Sequence, residues 1–236
     1  MPVDKALSQK EIRGPSCLPS EWYSILARIM TRKTAKKQQI LQAAVEVFGR
    51  SSFDDASICE IARKAGVAEG TIYQYFKNKQ DLFFSIPREK TKAFTAQLDS
   101  HLEGVTDAPD KIRKFVWYYF HFFKTNPDYA RSLMLEMRVS RDFTKSGSYK
   151  GVRRFTNQAL EILKEGREQG VIRRDVDIYL SRQLLLGILE HVVTRWLLKG
   201  EKDDILQYHE QVSDLVLNGI GVHVKSKATK TSRKGA

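Results

Sequence analysis

The stretch that most constrains the fold is residues 57–76, SICEIARKAGVAEGTIYQYF, which reads as two short helices joined by a tight turn. Ser57 opens the first helix: its hydroxyl can accept from the Glu60 amide while Glu60 reaches back, a capping box. Ile58, Ile61 and Ala62 recur at helical spacing and make one side apolar. Gly66 stops this helix, because the left-handed conformation is cheap without a Cβ. Val67, Ile72 and Phe76 supply the inner face of the second helix, and Glu69, Gly70, Thr71, Gln74 and Tyr75 its outer face. An apolar helix pair, a small Ala62 at the approach and a polar second helix make a helix-turn-helix, whose second helix offers its N-terminal half to a DNA major groove. An ordinary helical hairpin in a core would use the same glycine turn, so the flanks decide between the two readings.

Upstream, residues 34–49 carry Ile40, Ala44, Val47 and Phe48 on one face, with Lys36, Lys37, Gln38 and Gln42 elsewhere. Downstream, Lys77, Asn78 and Lys79 precede a further helix start at Asp81 and Leu82. With these flanks, residues 34–83 resemble the N-terminal domain of the TetR family of bacterial transcriptional repressors. The resemblance rests on Ile40, Ala43, Ala44, Phe48, Phe53, Ser57, Ile61, Ala62, Ala65-Gly66-Val67, Gly70-Thr71-Ile72-Tyr73, Tyr75-Phe76, Lys79 and Leu82. Two departures stand out: Ser52 where a glycine is usual, and Ala56 where a threonine often precedes the cap.

The chemistry of the outer face sorts by reach. Thr71 and Gln74 suit base edges, Gln as a bidentate partner for adenine and the Thr methyl against thymine. Glu69 suits a cytosine amine or the helix dipole, and Gly70 lets the backbone come close. Lys79, at a helix start, suits a phosphate, with Thr34, Lys36, Ser57 and Lys77 as further phosphate ligands. The resemblance implies that Tyr73 and Tyr75 reach phosphates or a thymine methyl. Against all of these stands the plainer reading of a solvated helix face.

Charge is distributed as a DNA-binding reading requires. The chain carries a net +12, with nine basic and five acidic residues over 30–80 and five basic and no acidic residues over 225–236. The long middle, 81–224, is nearly balanced at 22 against 20. A basic module for phosphates and a neutral module for another task fit this pattern. Cys17 and Cys59 suggest no disulfide framework, and His101, His121, His191, His209 and His223 fall in no ligand-like cluster. No metal and no cofactor is expected. No apolar run approaches a membrane span, and a secretory core is absent, so a cytoplasmic protein without membrane contact is expected.

The chain reads as all-α with about nine helices. Residues 1–30 are expected as a flexible extension, with Met30 as an alternative start and a minor-groove arm as the competing reading. Residues 31–79 form the helix-turn-helix domain, 80–222 a ligand-binding and dimerisation domain, and 223–236 a basic disordered tail. Within the large domain, Pro87 is expected to kink or break the helix over 79–102. Further helices are expected at 109–125, 127–141, 149–169, 175–199 and 203–220.

Residues 115–123, FVWYYFHFF, cover most directions of a helix with bulky groups, so one side should face the core and another a cavity. The pocket reading groups Phe94, Leu98, Trp117, Phe120, Met134, Met137 and Phe155 around a hydrophobic small molecule, with Arg138, Arg141, Arg153 and Arg154 as the nearest cations for any phosphate. Plain core is the competing reading for each. The last two helices carry apolar stripes that resemble the family's dimerisation helices. On that resemblance Leu184, Ile188, Val192, Trp196, Val212, Leu215 and Val216 meet a second copy. The segment GILEHVVTRWLL, 187–198, also resembles the TetR-type regulators of fatty-acid metabolism that answer to acyl-CoA.

The expected function is therefore a homodimeric repressor on double-stranded operator DNA, released by a hydrophobic effector such as an acyl-CoA. Alternatives are an efflux-pump repressor answering to hydrophobic drugs and a ligand-independent architectural DNA-binding protein. An enzyme is not expected, since no nucleophile–base pair, metal spacing or phosphate loop can be picked out, and no catalytic residue is assigned.

Overall fold

Helix α1 spans Ser20–Arg50 without interruption. Neither proline nor glycine occurs between Pro19 and Gly49, so nothing in the sequence stops it. Residues 20–30 therefore belong to this helix rather than to a flexible extension. The computed structural model describes the backbone of residues 20–147 and 149–222, and side chains from Arg32 onward. The rest of the extension, residues 1–19, and the basic tail, residues 223–236, lie outside the described residues. The chain forms two compact units, 1–39 and 40–236, and the buried core lies in the second.

In that unit, α1 contributes Ile40, Leu41, Ala43, Ala44, Val45, Val47 and Phe48 to the core. Two short helices follow, α2 (Ile58–Lys64) and α3 (Glu69–Tyr73). Ser57 Oγ accepts from the Glu60 amide at 3.0 Å, the forward bond of the expected cap. Gly66 adopts φ 60° in the turn. Ala62 and Ile72 are buried where the pair packs.

Helix α4 spans Lys79–Leu102 and passes through Pro87 unbroken. Burial of Leu82, Phe83, Ile86, Phe94 and Leu98 along its length outweighs the hydrogen bond that proline removes. The body continues with α5 (Ala108–Thr125) and α6 (Pro127–Arg131). Where one helix was expected over 127–141, the chain forms a π-helical turn at Ser132–Met137 and then a separate α7, Arg141–Lys145. Helices α8 (Tyr149–Glu168) and α9 (Ile178–Leu198) follow, then a 3-10 turn, Ile205–Tyr208, leading into α10 (His209–Ile220). Among the described residues the fold is all-α, with ten α-helices and one isolated antiparallel bridge between Ile172 and Gly221.

Helix α5 is the hub, packing against α4, α8, α9 and α10. Its N-cap Asp107 accepts from the Asp110 amide, and Pro109 suits the first turn. Phe115, Val116, Tyr118, Tyr119, Phe120, Phe122 and Phe123 are all buried. At the far end of α1, Gly49 meets α6 so closely that a Cβ there would lie 2.4 Å from Asp128 Cβ and 2.5 Å from its Cα. Arg131 Nε donates to Gly49 O at 2.6 Å, fixing this junction. Gly49→Ala should therefore destabilise the protein by about 1–3 kcal/mol. Urea denaturation of the two proteins side by side measures it.

Candidate functional site

The outer face of the helix-turn-helix is open to solvent. Glu69, Gly70, Tyr73, Gln74 and Lys77 are exposed, and Ser57, the N-cap, is exposed beside them. Thr71 and Tyr75 are half-buried. Helix α3 closes at Tyr73, so Gln74 caps it and Tyr75 packs 6.4 Å from the Phe76 ring in the turn that follows. A Cβ on Gly70 would meet no protein atom within 4 Å, so the fold does not require glycine there. The Cys59 thiol is pushed up by a hydrogen bond to Glu69, which joins α2 to the first residue of α3. Thr34 and Lys36 are exposed on α1 in the other compact unit.

Lys79, expected at a phosphate, also has partners within the protein. Its ammonium donates to Asp54 O at 3.1 Å and to Ala56 O at 2.9 Å, and sits 4.6 Å from the Phe53 ring centroid. A cation held on two carbonyls and a ring braces the loop that enters α2, and a phosphate would have to compete with those partners. Phe53 in turn packs against Phe48 and Phe83, ring centroids 6.0 Å and 5.0 Å away.

A cavity of about 390 Å³ lies in the helical body. Its walls come from seven elements: Lys90, Thr91 and Phe94 of α4; Tyr119, Phe122 and Phe123 of α5; Tyr129 of α6; Leu133 and Met134 of the π-helical turn; Phe143 and Thr144 of α7; Tyr149, Val152, Phe155 and Thr156 of α8; and Arg182, Leu186 and Glu190 of α9. Of the seven residues expected at a pocket, Phe94, Met134 and Phe155 line it. The other four lie outside its wall. Phe94 is ringed by Tyr118, Tyr119, Phe122 and Phe155 at 4.6–6.4 Å, which closes that end and leaves Leu98 in solid core beyond it. Trp117 lies on another face of α5, stacked on His121 at 5.0 Å, and Phe120 is fully buried on a neighbouring face. Met137 is displaced by the π-helical turn: Arg138 N–H bonds to Leu133 O, one residue further along than in an α-helix, so Arg138 rather than Met137 follows Met134 into the cavity.

The cavity wall mixes aromatic rings with polar side chains. Arg138 pairs with Glu190, and Arg182, Gln183, Thr144 and Thr156 share the lining. Arg141, Arg153 and Arg154 are exposed and do not line it. Lys90 donates to Asn126 Oδ1 at 2.9 Å, and burial lowers its pKa. Burial also raises the Tyr119 and Tyr129 phenols well above their ordinary value, so both stay neutral donors at the wall. The missed members were legible as faces: Arg182, Leu186 and Glu190 recur every four residues, as do Tyr119 and Phe123.

The apolar stripes of α9 and α10 divide. Leu180, Leu184 (58% exposed), Ile188 and Leu215 (65% exposed) face solvent, and Val192 is half-buried. Trp196, Val212 and Val216, expected at a dimer interface, are buried within the single chain. Trp196 Nε1 donates to Asp203 O at 2.8 Å, which folds the ring inward over the turn after α9. Gly187 is exposed and a Cβ there would meet nothing. No helix among the described residues is long and apolar enough to cross a membrane.

An open helix-turn-helix joined to a helical body is the architecture of a DNA-binding transcriptional regulator. The chain belongs to the TetR family of bacterial transcriptional regulators: residues 40–86 match the model of bacterial regulatory proteins of the tetR family, and residues 87–219 match that of the YsiA-like C-terminal region. It is similar to the fatty acid metabolism regulator protein of Bacillus subtilis, 31% identical over 81% of this chain and 98% of the relative. Among solved structures it resembles the fatty acid degradation regulator FadR of Bacillus halodurans, with TM-score 0.74 and 34% identity over 78% of this chain and 95% of that one. FadR of Bacillus subtilis, solved in complex with stearoyl-CoA, matches with TM-score 0.74 and 30% identity over 78% and 98% of the two chains.

Gly70→Ala should leave the melting temperature unchanged or slightly raised, since Ala is favoured over Gly in a helix by up to about 1 kcal/mol. If Gly70 faces DNA, as the sequence reading expects, operator affinity should fall several-fold because the added methyl projects from that face. Thermal melts and operator titrations on the same preparations separate the two effects.

Proposed function

We propose that this transcriptional regulator is a homodimeric repressor whose hold on its operator is released by a long-chain acyl-CoA. The observation that carries the reading is the cavity: its rings Phe94, Phe122, Phe123 and Phe155 suit an acyl chain, and Arg138 and Arg182 in the same wall suit the phosphates of a coenzyme. The stearoyl-CoA complex of the Bacillus subtilis relative supports the same ligand class. Residues 80–222 are the effector and dimerisation domain in this reading, and 31–79 the DNA-binding domain. Direct contacts come from Glu69, Gly70, Thr71, Tyr73, Gln74 and Tyr75, with Thr34, Lys36, Ser57 and Lys77 on phosphates.

Dimerisation follows from the outward stripe of Leu180, Leu184, Ile188 and Leu215, which a monomer leaves in water. Two copies related by a two-fold axis place two recognition helices about 34–36 Å apart, on an inverted-repeat operator.

Titration with acyl-CoAs of increasing chain length should lower operator affinity tenfold to a hundredfold for long chains, with free CoA inactive. Melting temperature should rise in parallel. The effector assignment is wrong if neither acyl-CoAs nor free fatty acids alter affinity or melting. Replacing Leu184 and Leu215 together by Glu should give a folded monomer in sedimentation and abolish operator binding. A variant that remains dimeric would place the interface elsewhere.

A further inference from the structure

The π-helical turn Ser132–Met137 joins the cavity to the helix-turn-helix. Leu133 and Met134 form part of the cavity wall. Two residues after Met134, Glu136 Oε2 accepts the backbone N–H of Phe53 at 2.7 Å. Phe53 belongs to the loop between α1 and α2, the same loop whose Asp54 and Ala56 carbonyls are held by Lys79. Ala56 immediately precedes the Ser57 cap of α2. A short piece of backbone and one hydrogen bond therefore separate a wall of the cavity from the loop that aims the helix-turn-helix.

The turn itself is suited to move. Its Arg138 N–H to Leu133 O bond spans one residue more than an α-helical bond. Closing the turn to α-helical spacing removes one residue of register, which rotates Glu136 by about a quarter turn and breaks its alignment with Phe53. An occupant pressing on Leu133 and Met134 acts on the segment that holds this register. Glu136 is also weakly held. Burial together with Asp54 and Asp55 raises its carboxyl pKa, and the Phe53 amide opposes that shift.

Resting on the effector reading above, we propose that Glu136 is a positioning residue that passes occupancy of the cavity to the helix-turn-helix through the Phe53 amide. It works as a latch: engaged in the empty protein, released when the π-helical turn changes register. A parallel path exists through the ring contacts Phe53–Phe83, Phe83–Phe84 and Phe84–Phe143, the last ring of which lines the cavity. The two routes differ in what Glu136 does.

The test uses the full chain with stearoyl-CoA as probe. Glu136→Ala should take up the probe with a wild-type thermal shift, yet the probe-induced loss of operator affinity should shrink at least fivefold. Glu136→Gln keeps an acceptor oxygen and should retain most of the response. If Glu136→Ala fails to fold, Glu136→Asp, which withdraws the carboxylate by one methylene, takes its place. A wild-type response in the Ala or Asp variant overturns the proposal and assigns transmission to the ring path. A second arm needs no ligand. Leu133→Ala in the empty protein should speed hydrogen exchange at the Phe53 amide several-fold, and should add nothing in a Glu136→Ala background. No change, or an equal change in both backgrounds, also overturns the latch. If stearoyl-CoA produces no thermal shift in the wild-type protein, the effector reading fails and the exchange arm alone decides the latch.

Discussion

Everything in the helical body depends on the burial of the aromatic faces of α5. Phe115, Tyr118, Tyr119, Phe120, Phe122 and Phe123 cover most of this helix with rings, so α4, α8, α9 and α10 pack around it and leave to water the stripe of Arg113, Trp117, His121 and Lys124. Rings of this size tile imperfectly. Around Phe94 they meet edge-on and tilted at 4.6–6.4 Å and close the space, whereas beyond Phe122 and Phe123 they leave a cavity of about 390 Å³. The same excess of aromatic surface thus builds both the core and the cavity.

The helix-turn-helix is tied to this body by directional contacts. Gly49 lies against Asp128 with no room for a side chain, and Arg131 binds the Gly49 carbonyl. Glu136 holds the Phe53 amide, and Lys79 holds the Asp54 and Ala56 carbonyls from the first residue of α4. Contacts of this kind fix an angle and can be exchanged one at a time, which is what the proposed release from DNA requires. The Lys79 ammonium illustrates the division of labour. It bears the charge expected of a phosphate ligand but is engaged in setting the loop that precedes the recognition pair.

The outward stripe on α9 and α10 is the third constraint. Leu180, Leu184, Ile188 and Leu215 stand in solvent while the opposite faces of the same helices are packed inward, so each of these helices has two apolar sides. Two-sided helices suit a bundle completed by a second copy.

Local sequence determined much of this protein. The Ser57 cap, the Gly66 turn, the exposed polar face of 69–75 and the aromatic run of α5 depend on residues within a turn or two of one another, where periodicity and capping act directly. That a cavity would involve Phe94, Met134 and Phe155 was also legible, because bulky groups recur there beyond what one core face needs. Tertiary structure decided the rest. Which apolar residues of a helix turn inward is set by what packs on it, so Trp196, Val212 and Val216 are buried while Leu184 and Leu215 are not. Packing also overrode Pro87 and left α4 continuous. The π-helical turn is the clearest case. One extra residue in a hydrogen-bonded ring exchanged Met137 for Arg138 at the cavity and aimed Glu136 at Phe53. No periodicity in SLMLEM signals it, because the turn answers to its packing on α6 and α9 and to the Glu136–Phe53 contact.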